Sequence, residues 1–257
     1  MGLLEGKRIL VTGVLTDASL AFGIANLAQR QGAEIVLSGA GRGLSLTKRS
    51  AKRLDPVPEV LEIDVSSAGQ VEAAANELGR EWDRLDGLVH AIGFAPQSCL
   101  GKGMFEAPWQ DVAKALEISA YSLKTLVAAF RPMLAAAQGA SVVGLDFDAS
   151  MAWPAYDWMG VAKAALESLS RYLARDVGGE GIRVNLVAAG PVRTVAAKAI
   201  PAFSGFEDTW SQRAPLGWDP TSSEAVARTT VALLSDWMPS TTGEILHVDG
   251  GFHAIGA

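Results

Sequence analysis

Short apolar runs alternate with segments of helical periodicity along the whole chain. Each run is short enough for a strand buried on both faces, whereas the segments between the runs repeat apolar residues every three or four positions. The predicted strands are RILVTG (8–13), EIVLSG (34–39), VLEID (60–64), DGLVHAIG (86–93), ASVVGLDF (140–147), GIRVNLVAAG (181–190) and GEILHVDGG (243–251). The predicted helices cover residues 20–32, 66–82, 109–137, 155–178 and 222–235.

Strands that alternate with helices in this way predict a parallel sheet covered by helices on both faces. Right-handed crossovers then produce a doubly wound fold of the Rossmann type, here with seven parallel strands. The pattern contains no linker, internal repeat or low-complexity segment, and the one irregular stretch is residues 194–221, after the sixth strand. We therefore expect a single α/β domain over residues 1–257.

Composition argues against several classes of partner. The net charge is −6, so we expect no nucleic-acid binding. No apolar run approaches the ~18 residues of a membrane span. The opening residues, MGLLEGKRIL, lack the basic and apolar regions of a signal peptide. Cys99 is the only cysteine, which fits a reducing compartment, so a cytoplasmic protein without an internal disulfide is expected.

Residues that bind metals or phosphates are sparse. The histidines are His90, His247 and His253, and none lies at metal-ligand spacing from other ligands, so no metal site is expected. The stretch 42–53 is locally basic. It is interpreted as the solvated face of a helix, with a phosphate contact as the alternative.

The turn after the first strand, VTGVLTDASLAFG, has features of a phosphate site. Gly13 permits a tight turn, and Ser19 lies where the next helix begins. Exposed backbone N–H groups at such a helix start favour an anion. The spacing GxGxxG is absent, so an ordinary strand–helix turn is the alternative interpretation.

Several motifs together resemble one family. The spacing Gly13-x5-Ser19-x-Ala21 is followed by HAIGFAPQ (90–97), GLDFD (144–148), PAYDWMGVAK (154–163), NLVAAGPVRT (185–194) and QRAPLGW (212–218). In this order they resemble the enoyl-acyl-carrier-protein reductases, a divergent branch of the short-chain dehydrogenases, and above all the actinobacterial NADH-dependent members. The resemblance covers nearly the whole chain. It implies NADH as cofactor, enoyl-acyl-carrier protein or enoyl-CoA as substrate, and a homotetramer.

The resemblance also implies which residues bind the cofactor. Ser19 and Leu20 should contact the pyrophosphate, with Gly13 in the turn before them. Asp64 and Val65 should contact the adenine, unless they only end a strand that faces solvent. The remaining expected contacts are Ile92 and Gly93 at the nicotinamide ribose, the main chain of Val192 at the carboxamide, and Thr194 at the pyrophosphate; a loop followed by a helix cap is the alternative for the last two.

The end of the second strand, SGAGRG, leaves the type of cofactor open on the residues alone. It lacks the acid that binds the ribose hydroxyls in other Rossmann folds. Closely similar proteins carry a bulky aromatic residue near Ala40. Arg42 could bind the 2′-phosphate of NADPH, stack on adenine or face solvent. The family resemblance favours NADH over NADPH.

Tyr156 and Lys163 are the candidate catalytic pair. Seven residues span nearly two helical turns, so both side chains lie on one face of a helix. Ordinary short-chain dehydrogenases place the tyrosine four residues before the lysine, and no such pair occurs here. Their serine is also missing, since the matching positions are Val142, Val143 and Gly144. The residues therefore argue against reduction of a carbonyl.

Reduction of a 2-enoyl thioester explains the longer spacing. Hydride adds to C3 while charge develops on the oxygen of C1, so the donor must stand further along the substrate. Tyr156 would donate to that oxygen, and Lys163 would bind the nicotinamide ribose. The charge of Lys163 would also make Tyr156 more acidic. By the family resemblance Phe147 should wall the pocket next to the reacting double bond, and Met159, on the helix between the pair, could line it; core packing is the alternative for each.

Residues 195–211 follow the loop expected at the nicotinamide and are predicted to form a mobile lid over the acyl chain. Ala196, Ile200 and Phe203 would provide its apolar surface, together with Trp210; a surface helix packed on its own domain is the alternative. The segment is shorter than in the mycobacterial long-chain relatives, which predicts a preference for short to medium chains. Other functions left open are an enoyl or carbonyl reductase of secondary metabolism and a catalytically silent nucleotide sensor.

Overall fold

A computed structural model describes residues 2–201 and 203–256. All seven predicted strands are present within this range and form one parallel sheet, so the predicted fold is confirmed. The central strands are apolar along their length because helices cover both of their faces. The strands are β1 (Arg8–Thr12), β2 (Glu34–Gly39), β3 (Glu59–Glu62), β4 (Gly87–His90), β5 (Ser141–Asp146), β6 (Arg183–Ala189) and β7 (Ile245–Val248).

The strand order is β3-β2-β1-β4-β5-β6-β7. The first three strands extend the sheet to one side of β1, and after β3 the chain returns to place β4 on the other side of β1. The strand order therefore reverses between β1 and β4. Val11 of β1 pairs with Leu37 of β2 on one side and with Val89 of β4 on the other. The crossovers on the two sides of this point diverge, which opens a crevice at the carboxyl ends of the strands.

Two apolar layers enclose the sheet. One contains Leu78, Phe130 and Leu166, and the other contains Ile24 and Val226, all nearly or fully buried. The α-helices are α1 (Leu20–Arg30), α2 (Gly41–Ala51), α3 (Ala68–Glu81), α4 (Trp109–Leu116), α5 (Ser122–Ala136), α6 (Asp157–Val177), α7 (Phe203–Arg213) and α8 (Glu224–Leu234). Helices α3, α5 and α6 supply the first layer, while α1, α2 and α8 supply the second.

The structure corrects the sequence prediction in two places. Residues 194–221, predicted to be irregular, contain the 3₁₀ turn Ala197–Ala199 and helix α7. The helix predicted over 109–137 consists of α4 and α5 joined by a π-helical turn at Glu117–Tyr121. In that turn Ser119 is fully buried, and its hydroxyl accepts from the N–H of Phe94 and donates to the carbonyl of the same residue. The π turn is thereby tied to the loop after β4.

Candidate active site

One cleft of about 630 Å³ lies at the carboxyl ends of the strands, beside the point where the strand order reverses. This is the position at which ligands bind to doubly wound sheets. The cleft brings together residues that are far apart in the chain. All of the predicted site residues line it: Gly13, Ser19, Leu20, Asp64, Val65, Ile92, Gly93, Phe147, Tyr156, Met159, Lys163, Val192, Thr194, Ala196, Ile200 and Phe203.

The turn after β1 brings the backbone at Gly13 close to the backbone of Ala91. Gly13 has a φ of +83°, and a Cβ at this position would stand 2.0 Å from the carbonyl oxygen of Ala91. Only glycine combines this conformation with this approach. The Ser19 hydroxyl then closes the turn by accepting from the N–H groups of Leu15 and Thr16 at 3.2 and 3.0 Å.

The N-terminus of α1 faces the cleft at Ser19. Phe22 and Gly23 donate the first hydrogen bonds of this helix, both to the carbonyl oxygen of Ser19. The N–H groups of Leu20 and Ala21 therefore precede the ladder of the helix and remain for a ligand. With the positive end of the helix dipole, they form a suitable site for a phosphate.

Asp64 and Val65 lie at the end of the cleft that β2 and β3 approach. The Oδ1 atom of Asp64 accepts from the N–H and the hydroxyl of Ser66 at 2.9 and 2.6 Å. This leaves the second carboxylate oxygen available for an amino group. Ala40 lines the same region, whereas Arg42 is exposed and does not.

Gly93 and Ile92 border the middle of the cleft. A Cβ at Gly93 would meet only the Cε of Met159, at 3.8 Å, so the missing side chain leaves open space in the cleft. Thr194 borders the cleft from the loop after β6. Its hydroxyl accepts from the N–H of Ala197 at 3.0 Å, so it caps the 3₁₀ turn while keeping its own hydrogen for a ligand.

Tyr156 and Lys163 reach the same part of the cleft. Tyr156 directly precedes α6, and Lys163 lies in its second turn, so the seven-residue spacing places both on one face. Both side chains are buried. The Nζ atom of Lys163 donates to the carbonyl oxygen of Leu145 at 2.8 Å, one of the three hydrogen bonds that an ammonium group can make.

The electrostatics of Tyr156 differ from the expectation. Its pKa is raised well above the usual value, chiefly because burial disfavours the phenolate and secondly because the carboxylate of Asp146 is near. The net shift is opposite in direction to the acidification expected from Lys163, whose own effect on Tyr156 stays a prediction. Tyr156 remains a neutral hydrogen-bond donor, while burial lowers the pKa of Lys163 and Asp146 opposes that lowering.

Two buried polar residues of this region were missed by sequence reasoning. Asp146 ends β5 and borders the cleft, and burial raises its pKa to about 7. His90 ends β4; burial and the charge of Lys163 lower its pKa to about 3, so it is neutral. Its Nε2 atom lies 2.7 Å from the hydroxyl of Ser122. A charged residue that ends an otherwise apolar strand was the available signal for Asp146.

Phe147 belongs to an aromatic cluster behind the cleft. Its ring centroid lies 5.3 Å from that of Trp153 and 5.1 Å from that of Tyr156. Helix α7 adds Phe206 and Trp210, whose ring centroids lie 5.7 and 5.9 Å from that of Phe147. Phe147 thus packs in the cluster and also borders the cleft, and its place beside the substrate double bond stays a prediction.

The predicted lid segment, of which Ala202 lies outside the described residues, packs against its own domain in the parts 195–201 and 203–211. Trp210 is only 2% exposed and stacks on Phe252 with 3.8 Å between ring centroids, so it does not offer its surface to the cleft. The guanidinium of Arg193 binds the carboxylate of Glu207 through two hydrogen bonds of 2.6 and 3.2 Å. Ala196, Ile200 and Phe203 line the cleft from the part of the segment nearest to Thr194.

Metal sites and membrane spans were sought within residues 2–201 and 203–256. No group of three or more His, Cys, Asp or Glu side chains in that part of the chain could hold a metal ion. None of the helices described there is both long and apolar enough to cross a membrane.

Known proteins resemble the chain over nearly its full length. A family model described as enoyl-(acyl carrier protein) reductase matches residues 13–253. The chain is 49% identical to the NADH-type enoyl-acyl-carrier-protein reductase of Mycolicibacterium smegmatis, over 97% of each chain. Identity is 45% with the relative of the same description from Mycobacterium avium, over 97% of each chain. It is 38% with that from Escherichia coli, over 98% of this chain and 96% of the relative.

Proposed function

Because the chain belongs to the enoyl-(acyl carrier protein) reductase family, we propose that it reduces the 2,3 double bond of trans-2-enoyl thioesters with NADH in fatty acid synthesis. The thioester is carried by acyl-carrier protein or by CoA. The observation that supports this most strongly is the meeting of Tyr156, Lys163 and Phe147 in one cleft that also contains the free N-terminus of α1.

The cleft has the features that NADH needs. Leu20 and Ser19 would bind the pyrophosphate at the start of α1, and Asp64 would accept from the adenine amino group. The open space at Gly93 would admit the nicotinamide ribose, because no side chain fills it. Ile92, Val65, the main chain of Val192 and the hydroxyl of Thr194 would complete the binding site. When bound, NADH would supply a hydride to C3 and become NAD+, and a proton from solvent at C2 would complete the saturated thioester.

Tyr156 stabilises the charge that develops on the thioester oxygen. Because burial keeps its phenol protonated, it acts as a hydrogen-bond donor toward the enolate oxygen rather than as a strong acid. A donor already fixed in a water-poor site stabilises such charge without reorganisation, and removal of one such donor typically lowers turnover by roughly 100- to 1000-fold. Lys163 uses its remaining N–H groups to hold the nicotinamide ribose.

The acyl chain enters beside Met159 and the apolar side chains of Ala196, Ile200 and Phe203, with Phe147 as the wall next to the double bond. Residues 195–211 act as a lid that moves to admit the thioester, as loops over active sites commonly do. The aromatic cluster behind Phe147 limits the depth of this end of the cleft. Short to medium chains are therefore the preferred substrates.

NADH is preferred over NADPH by at least about tenfold, or ~1.4 kcal/mol. This preference is supported by the position of Arg42, which is exposed and does not line the cleft. Titration of the protein with each dinucleotide measures it. Tighter binding of NADPH would assign Arg42 to the 2′-phosphate.

The protein assembles as a homotetramer in the cytoplasm. Support comes from β7, an edge strand that is half-buried along its length, and from exposed aromatic side chains such as Phe105 and Trp109. Exposed strand edges and apolar patches mark surfaces that associate. Light scattering at micromolar concentration tests the assembly, and a monomer would contradict it. Cell fractionation tests the compartment.

Oxidation of NADH in the presence of a 2-enoyl-CoA tests the function itself. The expected result is loss of NADH absorbance with formation of the saturated acyl-CoA. A ketoacyl thioester serves as the control substrate. Turnover of that compound instead would identify a carbonyl reductase, and binding of NADH without turnover of either would identify a nucleotide sensor.

A further inference from the structure

Asp146 is a buried carboxylate in the cleft that the mechanism above does not use. It is the last residue of β5, and its side chain is fully buried. Neither carboxylate oxygen has a hydrogen-bond partner among the residues that the structure describes. The neighbouring N–H of Phe147 favours the charged form but does not reach hydrogen-bond geometry. A carboxylate in such a position opposes folding unless a charged partner compensates it.

The nearest cation is Lys163. Its Nζ atom lies 4.0 Å from Oδ1 of Asp146, and the lysine side chain is itself only 10% exposed. The hydrogen bond from Nζ to the carbonyl oxygen of Leu145, the residue before Asp146, holds the ammonium group at the end of β5. Burial disfavours the charged lysine, and the carboxylate favours it. The two groups are therefore coupled within one desolvated site.

Stability alone does not account for this pair. Replacement of a buried ion pair by neutral side chains of similar volume is often neutral or stabilising. Asp146 also borders the cleft in which Lys163 must bind its ligand. Buried ionisable groups with a specific charge partner in a cleft are characteristic of functional sites.

We propose that Asp146 is a positioning residue, whose ionised carboxylate keeps Lys163 charged and directed toward the nicotinamide ribose, so that the affinity for NADH depends on the protonation of Asp146. This inference rests on the proposed function, because it takes NADH as the ligand of Lys163. It assigns Asp146 no contact with the reacting atoms.

Other titratable groups face Asp146, and their effects on the pH dependence must be distinguished from its own. Glu167 of α6 and Asp148 of the following loop both favour its protonated form, and Tyr156 stays neutral. From β4, His90 is neutral because burial lowers its pKa to about 3. His247, whose Nε2 atom lies 3.7 Å from Oδ1 of Asp148, needs its own control.

The test is a titration of the full-length protein with NADH, followed by the change in fluorescence, from roughly pH 5 to pH 9. For the wild type, affinity should fall toward acid by up to about tenfold per pH unit below the pKa of Asp146. Asp146→Asn should bind NADH about tenfold or more weakly at pH 8 and lose the pH dependence. Asp146→Glu retains the charge and should restore part of the affinity for NADH and part of its pH dependence. His247→Gln should behave like the wild type.

Three results would overturn the inference. One is unchanged affinity and pH dependence in Asp146→Asn. Another is affinity that rises toward acid in the wild type, because the negative charge of NADH would then outweigh the effect through Lys163. The third is a pH dependence that persists in Lys163→Met, which tests the same coupling even if Asp146→Asn fails to fold. Reduction of 2-enoyl-CoA is measured separately, so that a protein with this pH dependence but without turnover would contradict only the proposed function.

Discussion

The substitution Gly93→Ala separates a role in binding from a role in folding. The new Cβ would lie 3.8 Å from the Cε of Met159, an ordinary van der Waals distance, and would meet no other atom within 4 Å. The backbone of Gly93 is not in the left-handed region, so alanine introduces no strain there. We therefore expect a change in the free energy of unfolding of at most about 0.5 kcal/mol.

Binding of NADH should respond differently to the same methyl group. The group would occupy the space proposed for the nicotinamide ribose, and an extra methyl in a closely packed contact typically costs roughly 1–3 kcal/mol. Since ~1.4 kcal/mol corresponds to a factor of ten, the dissociation constant should rise by about 5- to 150-fold. Thermal unfolding and titration with NADH measure the two effects on the same sample.

Two further glycines provide controls. Gly179→Ala introduces a Cβ with nothing within 4 Å, outside the cleft, and should change neither stability nor binding. Gly13→Ala should lower both the stability and the affinity for NADH, because its Cβ would collide with the carbonyl oxygen of Ala91. Wild-type affinity in Gly93→Ala would refute the placement of the ribose. A loss of stability as large as that of Gly13→Ala would refute the account of the open space.

Four other predictions follow from the site. Tyr156→Phe should lower turnover by roughly 100-fold or more with little change in NADH binding, and near-normal turnover in steady-state assays would refute its role. Lys163→Ala should weaken NADH binding by roughly 10- to 100-fold, the loss of charged hydrogen bonds, and unchanged affinity by titration would count against the ribose contact. Across a series of enoyl-CoA substrates, catalytic efficiency should level off or fall for long chains; since each buried CH₂ contributes ~0.8 kcal/mol, a steady rise to roughly sixteen carbons would contradict the limited pocket. Asp146→Asn should stabilise the protein at pH 8 but not at pH 4. The pKa of Asp146 in the folded protein, about 7, exceeds the ordinary value of 3.8. The free energy of unfolding of the wild type therefore falls by up to ~4 kcal/mol as the pH rises from one value to the other. Urea unfolding at pH 8 and pH 4 checks this. A stability difference between the variant and the wild type that is the same at both pH values would contradict it.

The fold was predictable from the sequence because its signal is local. Each strand is a short apolar run that must be buried on both faces, and each crossover is a helix with one apolar face. The candidate site was also largely predictable. Parallel strands bring their carboxyl ends to one edge, so Gly13, Gly93 and Phe147, which follow three different strands, had to meet there. The roles proposed for these residues stay predictions.

Helix α7 was not predictable in the same way. Phe203, Phe206 and Trp210 lie at helical spacing, but the segment also contains Gly205 and several polar residues, so three apolar positions are its whole local signal. Phe206 and Trp210 are buried because Phe147 and Phe252, from distant parts of the chain, pack against them. Tertiary packing thus determines this helix more than its own periodicity does.

The sequence by itself determined the seven-stranded parallel sheet, the turn at Gly13 and the shared face of Tyr156 and Lys163, because strand burial, glycine conformation and helical period act over a few neighbouring residues. Only the tertiary structure decided the electrostatics of the pair. Whether Tyr156 is more or less acidic, and whether Asp146 is charged, depends on how completely other elements remove water from each group and on the distance between charges. Burial and distance of this kind arise only when β4, β5 and α6 pack together, which no local pattern of residues encodes.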